Sequence, residues 1–174
     1  GTSLLYDKNS EMLRDSLLKG LGLAFLIVSL LMALLFKNWK MVIISLVPNL
    51  VPLMIGAAVI GFLGIELDAP TSVFFAIAFG IAVDDTIHFL SKFRIELSKG
   101  FSIEQAVENT FKQTCKAIVL TTVILFFGFF ILVTSSYPPT MHIGLLIGIT
   151  LVSALLSDLF LMPIFIYWFL GKGK

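Results

Sequence analysis

Five long apolar stretches dominate this chain, and each is long enough to cross a bilayer. A spanning helix needs about 20 mostly apolar residues, and residues 17–36, 41–65, 71–93, 117–134 and 143–170 all qualify. Backbone polar groups in hydrocarbon must find partners within their own segment, so each stretch is predicted to be an α-helix. The fold class that follows is an all-α membrane protein: five transmembrane helices plus a short amphipathic cytoplasmic helix. Composition agrees. Only 13% of residues are charged, about half the share of a soluble domain, and the mean hydropathy is +1.03. A net charge of +1 with no basic stripe argues against nucleic acid as a partner. No nucleophile with a base, no metal cluster and no phosphate loop stands out, so no enzyme is expected.

The linkers alternate sides. "KNWK", residues 91–116 and the tail "GKGK" share one side and carry nine lysines and arginines: Lys37, Lys40, Lys92, Arg94, Lys99, Lys112, Lys116, Lys172 and Lys174. The N-terminal stretch, "ELDAP" and "SSYPPT" share the other and carry three: Lys8, Arg14 and Lys19. Positive charge marks the cytoplasm, which predicts the N-terminus outside and the C-terminus inside. Residues 1–16 are polar and amphipathic, begin with Gly1 and lack a signal-peptide pattern. They read as the end of an extracytoplasmic domain or a pre-membrane helix, and residues 171–174 as a cytoplasmic tail. Ser102 and Gln105 fit a capping box, and Ile103, Ala106, Val107 and Phe111 follow on one face. Residues 102–116 are either a separate surface helix or the lead into the fourth span. Cys115, the one cysteine, reads as a small buried hydrophobe.

Ionisable groups inside the spans need a reason. "FGIAVDDTIHFL" places Asp84, Asp85 and His88 in the third span, with Asp84 more than half a bilayer from the outer end. A charge at such depth costs at least a few kcal/mol, and two adjacent carboxylates repel. The pair is expected to exchange protons near physiological pH as one coupled unit. His88 follows Asp84 by four residues and Asp85 by three, so it reaches either. Ala76, Gly80, Asp84 and His88 form a stripe, with Ala78, Ala82 and Thr86 in an adjacent one. Such small residues admit a neighbouring helix, which would turn the carboxylates toward protein or a water-filled seam. Three readings compete: a proton or cation relay, a helix end that reaches the polar interface, and a metal site whose spacing signal is weak.

Further polar residues lie in the other spans. Thr121 and Thr122 sit in the fourth; Thr150, Ser153, Ser157 and Asp158 sit in the fifth. Each threonine either bonds its own helix backbone or assists the relay. Asp158 is either a structural helix–helix hydrogen bond or a second relay step. Pro48 and Pro52 break the second span, since proline removes a backbone bond and kinks a helix. Asn49 between them is a candidate to satisfy the freed groups, and the kink either serves packing or flexes beside a substrate path.

Taken together, "VPNLVP", "GIAVDDTIHF" and "LLSDLFLMP" resemble the resistance-nodulation-division (RND) superfamily. The nearest branch is the predicted exporters of the third hydrophobe/amphiphile efflux group, related to the mycobacterial large membrane proteins (MMPL). The resemblance covers nearly the whole chain. It implies twelve spans in two similar halves, each with a large extracytoplasmic domain, and these five spans resemble the last five of the second half. It also implies a proton relay at Asp84 and Asp85, with His88, Thr86, Thr121, Thr122 and Asp158 in support. The coupling ion would be the proton, with no other cofactor. The lysine that drug pumps place opposite their aspartates has no counterpart within these spans. The implied function is proton-motive-force-driven export of lipid-like or amphiphilic compounds across a bacterial inner membrane. The implied partners are the bilayer, the first half, the extracytoplasmic domains and a hydrophobic or amphiphilic substrate, with homo-oligomerisation open. The alternative is a five-span lipid-binding or regulatory module like the sterol-sensing domain, which has no need of two buried carboxylates.

Overall fold

The computed structural model describes residues 2–65 and 69–171, with the side chains of residues 2–11, 13, 14 and 69–72 excepted. Helix α1 runs over Thr2–Phe36, α2 over Trp39–Leu63, α3 over Ala69–Ser98, α4 over Ile103–Phe130, α5 over Pro138–Leu156 and α6 over Met162–Leu170. A 3₁₀ turn, Ile131–Thr134, extends α4, and a π turn, Ser157–Leu161, joins α5 to α6 in one rod. Among the described residues, five segments are long and apolar enough to span a membrane: Asp15–Phe36, Trp39–Leu63, Val73–Ser98, Ile103–Thr134 and Pro138–Leu170. The all-α membrane bundle is therefore the observed class. The readings that fall on Gly1, on residues 66–68 and on the end of the tail lie outside the described residues.

The helix ends follow local chemistry. Asn38 caps α2 by accepting from the Lys40 amide at 3.0 Å, and Gly64 closes it in the left-handed region at φ 63°, where glycine escapes the Cβ penalty. The Ser102–Gln105 capping box forms in both directions at 3.3 Å. From there α4 continues unbroken to Phe130, the second of the two readings open for residues 102–116. No proline interrupts this run, and Thr110 and Thr114 return their hydroxyls to carbonyls one turn back within the same helix. α1 is likewise continuous from Thr2 into the first span.

α2, α3 and the α5–α6 rod form the centre, with α1 and α4 beside them. The core has two apolar clusters. One gathers Ile44, Leu90, Phe93, Met162 and Ile166 toward the lysine-rich end. The other gathers Leu53, Phe74, Phe79, Leu146 and Leu151 toward the opposite end. Many leucines of α1 and the Leu120, Ile124 and Phe127 side chains of α4 stay exposed. Such a surface suits a bilayer, because lipid tails solvate these side chains as well as protein does.

The two small-residue stripes of α3 part company. Ala78, Ala82 and Thr86 are all buried, whereas Ala76, Gly80, Asp84 and His88 are all exposed. A Cβ built on Gly80 would meet nothing within 4 Å among the described residues. Residues two apart lie roughly 200° around a helix at 3.6 residues per turn. The stripes therefore lie on opposite faces, not adjacent ones, and only one packs within this chain.

Ionic contacts fasten the lysine-rich end. Glu96 is buried, with one oxygen 2.7 Å from Lys99 Nζ and 3.8 Å from Lys92 Nζ. Its other oxygen accepts from Asn109 of α4 at 3.4 Å. Lys40 donates to the Phe169 carbonyl of α6 at 3.2 Å. Arg94 of α3 donates to the Leu35 carbonyl of α1, with its guanidinium 6.0 Å from the Phe36 ring centroid.

Candidate functional site

A layer of polar side chains separates the two apolar clusters. Ser45 and Asn49 come from α2, Thr86 from α3, and Ser157 and Asp158 from the π turn, and all five are buried. In each of the three segments these residues fall between members of the two clusters. Buried polar groups at this depth must bond one another, and most do. Asn49 Nδ2 donates to the Ser45 carbonyl at 2.7 Å. Thr86 Oγ1 lies 3.2 Å from Asn49 Oδ1 and 3.1 Å from Asp158 Oδ1. Asp158 Oδ2 is buried without a hydrogen-bond partner among the described residues.

The prolines explain one further bond. Pro52 has no N–H, so the Pro48 carbonyl one turn back loses its helical donor. Ser157 donates its hydroxyl to that oxygen at 2.7 Å. Asn49, the expected partner of the freed groups, instead serves the Ser45 carbonyl. Ser157 was not expected in this role from sequence. The signal was present: a proline four residues after another exposes a carbonyl, and a serine stood in the fifth span. Pro163 acts similarly on the other side of the layer. Its ring crowds the carbonyl four residues earlier, the Met162 amide reaches back to the Ser157 carbonyl, and the turn widens to π. Such bulges are frequent at functional positions.

The Ser157 bond is testable through its cause. Ser157→Ala should cost about 1–3 kcal/mol, the usual penalty of an unpaired buried polar group. In a Pro52→Ala background the restored backbone amide at position 52 can serve the Pro48 carbonyl, and the cost of Ser157→Ala should fall. Unfolding of the four proteins measures the difference; equal costs in both backgrounds would show that Ser157 does not act through that carbonyl.

The second element is an open groove of about 650 Å³ between α3 and α4. Asp84, Asp85, His88, Lys92, Gln113 and Thr121 are among its polar lining, and Ile81, Ile118 and Ile124 among its apolar walls. Asp84 and His88 are about three-quarters exposed, with His88 Nε2 3.8 Å from Asp84 Oδ1. The seam expected around this pair is thus not closed by this chain. Asp85 is half-buried and stands between the two elements: it lines the groove and immediately precedes Thr86, which contacts Asp158. Thr121 shares its hydroxyl between the Ala117 and Ile118 carbonyls of its own helix at 3.0 and 2.9 Å. Thr122 is buried and is not part of the groove lining. Among the described residues no three His, Cys, Asp or Glu side chains converge as metal ligands.

A five-span helical bundle with a buried polar layer across its middle and a polar groove beside it defines a polytopic membrane protein. Residues 1–172 match the MMPL family, and the chain belongs to that family. A relative from Methanocaldococcus jannaschii is 24% identical over 163 residues, which is 94% of this chain. Its name says no more than that it is taken to be a membrane protein. The chain spans 42% of the length of that relative.

Proposed function

We propose that this chain is the proton-coupling part of a larger exporter of lipid-like or amphiphilic compounds in a bacterial inner membrane. The observation that carries this reading is Asp158. It is buried between two apolar clusters, with one oxygen lacking a partner among the described residues and Asp85 within electrostatic reach. A charge at that depth costs at least a few kcal/mol. Gain or loss of one proton in the layer therefore changes which helix packing is more stable, by enough to bias a two-state element. The π turn and the two prolines Pro48 and Pro52, which withhold backbone donors from α2, lie beside the layer, where a small shift breaks few helical bonds. Proton entry runs along the groove from Asp84 and His88 to Asp85 and then to the layer. The exposed Ala76–Gly80–Asp84–His88 face is where the other half of the transporter packs. Cargo is handled by extracytoplasmic domains, and the lysine-rich end faces the cytoplasm.

The test is flux of a fluorescent amphiphile by the full-length protein in vesicles with an imposed proton gradient. Flux should follow the gradient and collapse with a protonophore. Flux that persists unchanged without a gradient would overturn the reading. The isoleucine walls of the groove favour one second reading, a lipid-binding regulatory module. In that case lipid would bind without moving protons.

A further inference from the structure

The polar layer has a hydrogen-counting problem, and its solution gives Thr86 a role. A threonine hydroxyl carries one hydrogen and can also accept. Thr86 Oγ1 faces two acceptor oxygens at hydrogen-bond distance, Asn49 Oδ1 at 3.2 Å and Asp158 Oδ1 at 3.1 Å. The Asn49 amide cannot turn to help without a loss, because its Nδ2 is engaged by the Ser45 carbonyl at 2.7 Å. Its Oδ1, which only accepts, is thereby held toward Thr86. One hydrogen cannot fill two contacts. A proton on Asp158 Oδ1 completes the set: Asp158 donates to the Thr86 oxygen, and Thr86 donates to Asn49. With Asp158 ionised, the hydroxyl turns to the carboxylate, since a charge-assisted bond is the stronger one, and Asn49 loses its donor.

We infer that Thr86 is a positioning residue that reads the proton on Asp158 and relays it, by reversing its hydrogen bond, to Asn49 on the proline-containing helix α2. The inference rests on the proposal that Asp158 exchanges protons. The direction of one bond then determines whether α2 and α3 are tied across the layer. The tie falls between Pro48 and Pro52, where α2 has already lost helical bonds. Ser45, Asn49 and Ser157 bring no charge to the layer. Among the described residues, Asp85 is the ionisable group that acts on Asp158, and it belongs to the same helix as Thr86.

The experiment is infrared difference spectroscopy between low and high pH on the full-length protein in membranes. A carboxylic-acid carbonyl band that disappears in Asp158→Asn identifies the protonated side chain. In Thr86→Val that band should move to higher wavenumber, because the acid loses its acceptor, and in Thr86→Ser it should return. Asn49→Leu should move it the same way but less far, since a hydroxyl with no acceptor of its own is less polarised. Should Thr86→Val fail to fold, Thr86→Cys, with its weak S–H, gives the same reading. Absence of the band at every pH, or a band unmoved by loss of the hydroxyl, would overturn the inference. A band that moves with Thr86 but not with Asn49 would remove α2 from the relay. The transport reading fails separately: normal pumping by Asp158→Asn would end that proposal while leaving the band shift intact.

Discussion

Asp158→Asn in the full-length protein is expected to abolish proton-driven flux while leaving the protein folded. Asparagine keeps the volume of aspartate, and volume-conserving changes in a packed core usually cost little. Its amide can donate to Thr86 as a protonated acid would, so the layer stays satisfied and is frozen in one state. A relay group that cannot release its proton stops the cycle. Loss of a positioned proton-transfer group is worth roughly two to four orders of magnitude in rate, which leaves flux at background. Asp85→Asn should do the same, because Asp85 is half-buried and links the groove to Asp158. The discriminating measurement pairs flux with a thermal melt of each purified variant. A variant that melts like the parent and pumps like the parent would remove its residue from the relay. Lost flux with lost folding would assign the residue to structure instead. Asp84 is largely exposed in this chain, so Asp84→Asn reports on the contact made by the other half.

Much of this arrangement was legible in the residues. Apolar length alone marks the five spans, because hydrocarbon enforces helices wherever it covers backbone. The capping box at Ser102 follows from residue type, and the placement of Asp158 and Thr86 within spans follows from apolar length. Other features depend on tertiary geometry. Periodicity finds both small-residue stripes of α3 but does not say which one packs; that is settled by where α2 and α5 lie. Asp84 and Asp85 look equivalent in sequence, yet one residue of helical rotation leaves the first exposed and the second half-buried. The Ser157–Pro48 bond joins residues 109 apart in the chain, beyond the reach of any local pattern. The π turn pairs the Met162 amide with a serine carbonyl five residues back, beside Pro163, and a uniform 3.6-residue period averages it away.

Close backbone approach sets the second large effect. Gly144 of α5 faces the 3₁₀ turn that ends the fourth span. A Cβ added there would lie 2.8 Å from the Phe129 carbonyl oxygen, 2.8 Å from Leu132 Cβ and 3.0 Å from the Val133 amide nitrogen. Two of these neighbours are backbone, so no rotamer change relieves the clash and α5 itself must move. Its displacement would open the contacts of Leu146 and Ile147, both fully buried in the second apolar cluster. Apolar transfer adds little to helix association in lipid, which leaves close packing to hold the bundle. Gly144→Val is therefore expected to destabilise by about 3 kcal/mol or more, the upper range for overpacking a core. Gly61→Val is the matched control, because a Cβ at Gly61 would meet nothing within 4 Å among the described residues, and both changes place a β-branched residue in a helix. The yield of monodisperse protein and its melting temperature should fall sharply for Gly144→Val and little for Gly61→Val. Equal losses in the two variants would mean that the β-branched residue in the helix, rather than the approach of α5 to the 3₁₀ turn, sets the cost.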